Sequence, residues 1–332
     1  MLIFKPRKAV ILKTKNPKKY LDVSPTAKEF VYNGLPLVAV PHKPDETKVL
    51  RNLGVNVPAP MNYYYPYDGR FKPFEVQRKT AEFASMNNRC FILNSMGLGK
   101  TVTSLWALDY MRSIGMVKKA LVVCPISVME RAWGDEIFRT FPNLKFNVLY
   151  GSREKRLKLL AEDADIYVIN TDGLKIIQQA MADRPDINLI IIDEVALFRN
   201  PSTARWKTAD DICNKQFHGE RRVWGLTGSP IPNAPTDAYG QIKLVTPNNP
   251  DLPKYFGRFR DLVMYQRGQF NWVNKPDAVE TVFRIMQPAI RFSLDDAIDL
   301  PPQVIQVRET ELSPEQKKAY KEMMNKLATE LK

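Results

Sequence analysis

The sequence predicts an α/β fold in which a parallel sheet is flanked by helices. Between residues 71 and 248, short and nearly continuous apolar runs alternate with stretches of helical pattern. Runs of this kind are typical of strands that are buried on both faces, as in a parallel sheet covered by helices. A glycine-rich segment, Asn94–Thr101, follows one of the runs directly. Because ligands bind at the carboxyl ends of such strands, we expect the loops after the runs to carry the function.

These runs and helical stretches define the predicted elements of residues 71–248, which we interpret as one α/β unit. The predicted strands are Cys90–Leu93, Ala120–Cys124, Phe146–Tyr150, Ile166–Asn170, Leu189–Ile192 and Val223–Leu226. The predicted helices lie near residues 101–114, 127–140, 152–161, 173–181 and 202–213.

Residues 1–70 are interpreted as a basic N-terminal accessory region. Two short apolar runs, Val10–Leu12 and Leu37–Val40, predict small strands. The cluster Tyr63–Tyr67 is predicted to be a packed loop that covers an apolar face, and Asp68-Gly69 to be a turn. The first 20 residues carry seven basic side chains and no acidic one, which predicts either a solvated arm or a phosphate contact.

The C-terminal part has a different pattern again. Residues 249–298 are aromatic and basic, and we interpret them as a helical appendage. Residues 299–332 are predicted to be a linker and a helix, which Ser313 caps and which has Pro314 in its first turn.

Composition and charge narrow the class of protein. The formal net charge of +13 over 332 residues indicates a polyanionic partner. No signal-peptide pattern or membrane-length apolar run occurs, so we expect a cytoplasmic or nuclear protein that is not secreted and has no membrane partner. The three cysteines are widely spaced and the two histidines, His42 and His218, are isolated, which argues against a disulfide framework and a zinc site.

The glycine-rich segment has the pattern of a phosphate-binding loop. It reads Asn94, Ser95, Met96, Gly97, Leu98, Gly99, Lys100 and Thr101. The glycines let backbone N–H groups turn toward phosphate oxygens, and the start of the following helix adds a favourable dipole. We expect Lys100 to reach the β- and γ-phosphates of ATP and the Thr101 hydroxyl to ligate Mg²⁺. Asn94 occupies the position of the first glycine in the strict pattern.

A second strand end supplies two carboxylates. The run Leu189–Ile192 is followed at once by Asp193 and Glu194. Asp193 is expected to hold Mg²⁺, and Glu194 to polarise the attacking water as a general base.

Taken in order, these motifs resemble those of the first RecA-like lobe of superfamily 2 helicases, specifically of the Swi/Snf-type DNA translocases. The segment Met96–Thr101 has the sequence that is usual for this motif in the family, and Leu226–Asn233 is similar to the family's third motif. The resemblance gives Thr227 and Ser229 of that motif a catalytic part in coupling ATP hydrolysis. Gln77 is similar to the family's adenine-recognising glutamine.

The resemblance also assigns contacts to the DNA backbone. One segment is similar to the element that contacts one DNA strand in the family; it contains Pro125, Ile126 and Ser127 and is followed by Trp133. We expect the Trp133 ring itself to pack in a helix. Thr171 and Asp172 lie where the family has a further backbone contact.

The ends of the chain extend the resemblance. Three segments resemble the passage that leads from the first lobe to the second, namely Arg291–Ser293, Asp299–Pro302 and Leu312–Gln316. In placement, the N-terminal region is similar to the accessory module of annealing-helicase relatives and to the short extensions of compact viral members.

The resemblance implies the ATP-binding lobe of an ATP- and Mg²⁺-dependent enzyme that translocates on or remodels duplex DNA through its backbone. It also implies a second RecA-like lobe of the same parent protein, whose arginines stabilise the transferring phosphate. We therefore expect this chain alone to hydrolyse ATP weakly or not at all.

Two alternatives remain open at the level of the sequence. One is a strand-separating DNA or RNA helicase. The other is a nucleotide-gated DNA-binding module with little catalysis, which draws support from Ala196, since the family has a histidine at that position of its acidic motif.

Overall fold

Two of the N-terminal strands, Ala9–Lys13 and Leu35–Pro41, alternate buried residues with more exposed ones, which is the period of a sheet covered on one face. The structure is a computed structural model that describes residues 1–67, 70–216, 221–268, 271–297 and 310–330. The first strands are β1 (Leu2–Phe4), β2 (Ala9–Lys13), β3 (Lys28–Tyr32) and β4 (Leu35–Pro41). They pair antiparallel in the order β1-β2-β4-β3.

Three helices follow or interrupt this N-terminal sheet. They are α1 (Lys18–Leu21), α2 (Pro44–Asn52) and α3 (Met61–Tyr64). Leu50 of α2 packs with the valines and leucine that β2 and β4 bury on one face of the sheet. The tyrosine cluster begins within α3 and is not wholly a loop, but its Tyr67 ring is buried against Trp106, which confirms that the cluster covers an apolar face. The predicted Asp68-Gly69 turn lies outside the described residues.

The apolar runs of residues 71–248 form a second, larger sheet, as predicted. Its strands are β5 (Arg89–Ile92), β6 (Lys119–Cys124), β7 (Phe146–Val148), β8 (Ile166–Asn170), β9 (Ile187–Asp193), β10 (Arg222–Leu226) and, after a hairpin of β11 (Met264–Gln266) and β12 (Trp272–Asn274), β13 (Ala289–Ile290). The seven sheet strands run parallel in the order β13-β5-β10-β9-β6-β8-β7. The predicted α/β class is confirmed.

Helices cover both faces of this sheet. They are α4 (Glu75–Met86), α5 (Lys100–Ser113), α6 (Asp135–Thr140), α7 (Arg153–Ala161), α8 (Leu174–Ile177), α9 (Ala204–Asp210), α10 (Ala238–Val245), α11 (Phe256–Val263) and α12 (Ala278–Ile285). Successive residues of each strand enter opposite cores, so that Cys90 belongs to one core and Phe91 to the other. The strands are mostly apolar for this reason.

Two predicted elements differ in detail. The helix near 127–140 is divided into a 3₁₀ turn (Ile126–Val128), a π-helical turn (Met129–Gly134) and α6. A π-helical turn adds a residue and barely changes the apolar period, so a sequence pattern does not detect it. The segment predicted as an appendage contributes the edge strand β13 and buries Phe259 and Val282 in the core of the sheet.

Residues 298–332 form a separate compact unit. Its described part is α13 (Pro314–Glu330). The Ser313 hydroxyl accepts a hydrogen bond from the Gln316 N–H, which confirms the predicted cap. The Asp299–Pro302 motif lies outside the described residues. Within the described part of the chain, no helix has the length and apolar character needed to cross a membrane.

Candidate nucleotide and nucleic-acid site

The parallel order of the large sheet gathers the predicted site at one edge. The phosphate loop follows β5, the Thr227 motif follows β10, and the acidic pair ends β9, and these three strands are neighbours. Beside them, β6 leads into Pro125–Ser127 and β8 into Thr171 and Asp172. The sheet therefore divides its carboxyl edge into a nucleotide half and a half that holds the predicted DNA contacts.

The phosphate loop has the backbone that a phosphate site requires. Gly97 and Gly99 have φ angles of 83° and 68°, a region that glycine occupies without strain. Lys100 Nζ donates hydrogen bonds to the carbonyl oxygens of Asn94 at 2.9 Å and Ser95 at 3.3 Å. Burial lowers the pKa of Lys100, while the nearby carboxylates of Asp193 and Glu194 oppose that shift.

Asn94 has a structural reason to replace the glycine of the strict pattern. Its side chain is fully buried and donates to Thr80 Oγ1 at 2.9 Å, while its Oδ1 accepts from the Phe292 N–H at 3.0 Å. The Ser95 N–H donates to the Phe292 carbonyl at 2.9 Å. A glycine at position 94 would lose the side-chain bonds, so Asn94 fixes the loop to α4 and to the chain that follows β13.

Gln77 lies against the phosphate loop, as its predicted role requires. Its Oε1 accepts from the Phe74 N–H at 3.0 Å, and its Nε2 donates to the Leu98 carbonyl at 3.2 Å. A Cβ on Gly99 would come within 2.7 Å of Gln77 Nε2, so the glycine is also required for this close approach. In the described arrangement Gln77 braces the loop, and recognition of adenine by this residue stays a prediction.

An open cleft joins the loop to the acidic pair. Its lining includes Met96, Gly97, Lys100, Thr101 and Asp193, together with Gly99, Pro125, Val128 and Glu194. A hydroxyl, a carboxylate and an ammonium group thus face one space, which is the donor set expected for a magnesium–triphosphate group. These groups fit ATP and Mg²⁺, with Thr101 and Asp193 as the residues that would hold the metal.

A short chain of hydrogen bonds connects Glu194 to the neighbouring strand end. Thr227 Oγ1 donates to Glu194 Oε1 at 2.6 Å and accepts from the Ser229 N–H at 3.1 Å. Glu194 has a φ of 59°, a conformation that is uncommon for residues other than glycine and that recurs at functional sites. Ala196 is buried and its methyl group forms no hydrogen bond, so in this chain Glu194 itself provides the link to Thr227.

Trp133 is a site residue whose role sequence reasoning missed. Its ring is fully buried in the π-helical turn, as expected of a packing residue, but its Nε1–H donates to Asp193 Oδ2 at 2.9 Å. Burial raises the pKa of Asp193, whereas this hydrogen bond and the Lys100 charge lower it. The tryptophan that follows the predicted DNA-contact segment therefore stabilises the ionised form of the predicted magnesium ligand.

Replacing Trp133 with Phe is expected to make Mg²⁺-dependent ATP binding more sensitive to acid. The ring packing is retained, but loss of the donor raises the Asp193 pKa further, so the ionised carboxylate is lost at a higher pH. Titrations of Mg·ATP affinity against pH should show the midpoint of the acid limb shifted upward relative to the unaltered chain. An unchanged midpoint would rule out this role, and the buried tryptophan Trp224, which bonds to the Asn87 carbonyl, offers the control Trp224→Phe.

The predicted DNA contacts follow β6 and β8, on the half of the carboxyl edge beside the nucleotide half, and Pro125 also lines the cleft. The Ile126 side chain is 57% exposed, whereas Thr171 is buried. Asp172 forms an ion pair with Arg205, at 2.9 Å from Oδ1 to Nη2. The ion pair places the Arg205 guanidinium beside Asp172, where the sequence indicated only an acidic side chain. Arg205 is 33 residues away along the chain, so its position beside Asp172 is seen only in the fold.

Comparison with known proteins relates this arrangement to one family. The model of the SNF2-related domain matches residues 60–332. The SWI/SNF-related matrix-associated actin-dependent regulator of chromatin subfamily A-like protein 1 of Xenopus laevis is 32% identical over 197 residues, which is 58% of this chain. Chromodomain-helicase-DNA-binding protein 1-like of Danio rerio is 28% identical over 242 residues, or 71% of this chain.

A solved structure has the same fold. The Sulfolobus solfataricus SWI2/SNF2 ATPase core in complex with dsDNA aligns with a TM-score of 0.56 and 23% identity over 69% of this chain. This chain spans 18% of the Xenopus protein, 22% of the Danio protein and 46% of the Sulfolobus core.

Proposed function

The chain belongs to the SNF2-related domain family, and from that premise we propose that it is the ATP-binding lobe of a DNA-dependent ATPase that translocates on or remodels duplex DNA. The nucleotide cleft and the family membership support the use of ATP. The dsDNA in complex with the Sulfolobus core and the net charge of +13 on this chain support duplex DNA as the partner. Such an enzyme acts where the DNA is, in the cytoplasm or the nucleus.

The residues of the cleft divide the work of hydrolysis between them. Backbone N–H groups of the loop and Lys100 would hold the triphosphate, and Thr101 and Asp193 would hold Mg²⁺, which would neutralise charge on the phosphates. Glu194 accepts a proton from the attacking water, and Thr227 orients the carboxylate through its hydrogen bond. We propose Gln77 as the residue that reads the adenine edge.

The observation that carries the DNA dependence is the hydrogen bond from Trp133 to Asp193. Trp133 lies one π-helical turn after Pro125–Val128, the segment proposed to contact one DNA strand. A shift of this segment on DNA binding therefore moves a group that is bonded to the magnesium ligand. Coupling of this kind is reciprocal, so DNA should alter ATP affinity and ATP should alter DNA affinity by the same factor.

We further propose that efficient turnover requires a second RecA-like lobe, supplied by the parent protein. The chain aligns with 46% of the Sulfolobus core, which supports a partner lobe of similar size. Arginines from such a lobe would stabilise charge on the transferring phosphate and raise the rate by roughly 10³- to 10⁵-fold.

A negative charge introduced at the proposed DNA contact tests this function. Ile126→Glu places a carboxylate beside the DNA backbone, so we expect weaker duplex binding and loss of the DNA effect on ATP affinity, with ATP affinity unchanged in the absence of DNA. Fluorescence anisotropy of a labelled duplex and calorimetric titration of Mg·ATP measure the two quantities. Phe138→Glu introduces the same charge at an exposed apolar residue of α6 and is the matched control. Equal effects of the two variants would contradict the proposal.

A nucleotide-gated DNA-binding module is a second candidate, which the buried methyl group of Ala196 favours. Both functions require DNA and ATP to affect each other's binding. They differ in turnover, because the gated module releases no phosphate with duplex DNA even when a second lobe is supplied. Phosphate release under those conditions would exclude it.

A further inference from the structure

One face of the N-terminal sheet is open and apolar. Along β2 and β4, Val10, Leu12, Val38 and Val40 are buried beneath α2, and the residues between them face the other way. We call this other side the outer face. Through the strand pairing it comprises Leu2, Phe4, Ala9, Ile11, Lys13, Lys28, Phe30, Tyr32, Leu35, Leu37, Ala39 and Pro41.

The pairing register arranges these side chains in rows across the sheet. Phe30 lies opposite Leu37, which lies opposite Lys13, and Tyr32 lies opposite Leu35 in the next row. The Phe30 and Tyr32 rings stand two residues apart on β3, a spacing of about 6.8 Å along the strand. Tyr32 is 64% exposed and Phe30 37% exposed, so both rings are open to a ligand.

The charges of the sheet have one sign on this face. The strands hold three ionisable side chains besides Tyr32, namely Lys13, Lys28 and Glu29. Both lysines belong to the outer face, and Glu29 projects to the opposite side because it pairs with the buried Val38. Lys5 follows β1 and Lys8 precedes β2, at one end of the same sheet. Both lysines are exposed.

We propose that the outer face is a binding site for single-stranded nucleic acid, in which bases stack on Tyr32 and Phe30 and the lysines contact phosphates. Exposed aromatic rings on a sheet, bordered by basic side chains, match what unpaired bases and their backbone need. A duplex keeps its base faces covered, so it cannot stack on these rings. A protein partner could also pack on these rings, but the only charged side chains that the described strands place on this face are the two lysines, which favours a polyanion.

This site is separate from the cleft and from the proposed duplex contact on the large sheet. The proposed duplex contact includes Ile126 and binds the backbone of a duplex, whereas the outer face binds an unpaired strand. Variants at Ile126 and at Tyr32 therefore affect different probes, and failure of one proposal leaves the other standing.

The test measures binding of a fluorescein-labelled oligothymidylate of about 12 nucleotides, a length within the range of single-strand sites. Tyr32→Ala removes one stacking platform, so we expect affinity for this probe to fall roughly 5- to 100-fold. Tyr32→Phe keeps the ring and should bind within about twofold of the unaltered chain by the same stacking argument. Val31→Ala is the matched control, because Val31 is the adjacent residue, is 70% exposed and projects to the other side of the strand.

Two further readouts separate stacking from attraction by charge alone. Lys13→Ala should reduce the slope of log affinity against log salt by about 0.7, the value for one phosphate contact to a single strand. Photocrosslinking should attach an iodouracil-substituted oligonucleotide to the peptide that contains Phe30 and Tyr32.

Three results would overturn the proposal. One is unchanged oligonucleotide affinity in Tyr32→Ala. Another is equal weakening of single-strand and duplex binding in that variant, which would leave charge as the only attraction. The third is a chain that binds no oligonucleotide but forms dimers that Tyr32→Ala dissociates, which would make the outer face a contact between copies.

Discussion

Replacement of Lys100 by alanine is expected to weaken Mg·ATP binding by about 100-fold. The Lys100 ammonium group is held in the phosphate loop by two carbonyl oxygens and points into the cleft shared with Asp193. Charge-assisted hydrogen bonds contribute about 1.5–3 kcal/mol each, so loss of two contacts to phosphate oxygens costs about 3 kcal/mol, which is about two decades in affinity. Calorimetric titration of a non-hydrolysed Mg·ATP analogue measures the change.

The fold itself should tolerate this substitution. Lys100 is the first residue of α5 and lines an open cleft, so water can enter the space that its ammonium group leaves. Lys145→Ala is the control, because Lys145 is an exposed lysine that precedes β7 at the opposite edge of the sheet. Equal affinities for the two variants would remove Lys100 from the proposed site.

Much of the large sheet was predictable because its strands are buried on both faces. Short, nearly continuous apolar runs such as Ile166–Asn170, which alternate with helical stretches, favour buried parallel strands, and that strand has the predicted ends. The glycine-rich loop was predictable because positive φ angles and the phosphate chemistry both demand particular residues at fixed spacing. Local rules suffice where the constraint is local.

The contacts that complete the site were not predictable because they join distant parts of the chain. Trp133 and Asp193 are 60 residues apart, and Asn94 and Phe292 are 198 apart. The edge strand β13 has two residues, too few to show a period, and becomes a strand only by pairing with β5. The outer face of the N-terminal sheet likewise depends on a register that brings Lys13 and Phe30 into one row.

Substitution of Glu194 by glutamine is expected to slow hydrolysis by roughly 10²- to 10⁴-fold while leaving Mg·ATP affinity unchanged. Glutamine has nearly the same shape and keeps an oxygen that accepts the Thr227 hydroxyl bond, but it cannot take a proton from water. Single-turnover hydrolysis of radiolabelled ATP in the presence of duplex DNA, with the parent protein that supplies the second lobe in excess, measures the rate. Glu280→Gln makes the same change at an exposed residue of α12 and should have no effect.

Variants at Thr227 distinguish the loss of the Glu194 base from the loss of its orientation. Thr227→Val removes the hydroxyl that holds the Glu194 carboxylate, and Thr227→Ser keeps it, so the serine variant should retain the rate that the valine variant loses. Because Ala196 carries no polar group, no second side chain at that position substitutes for this bond. If the Glu194→Gln variant of the two-lobed protein hydrolyses ATP at the rate of the unaltered protein, the base lies elsewhere and the positive φ at Glu194 serves packing and not catalysis.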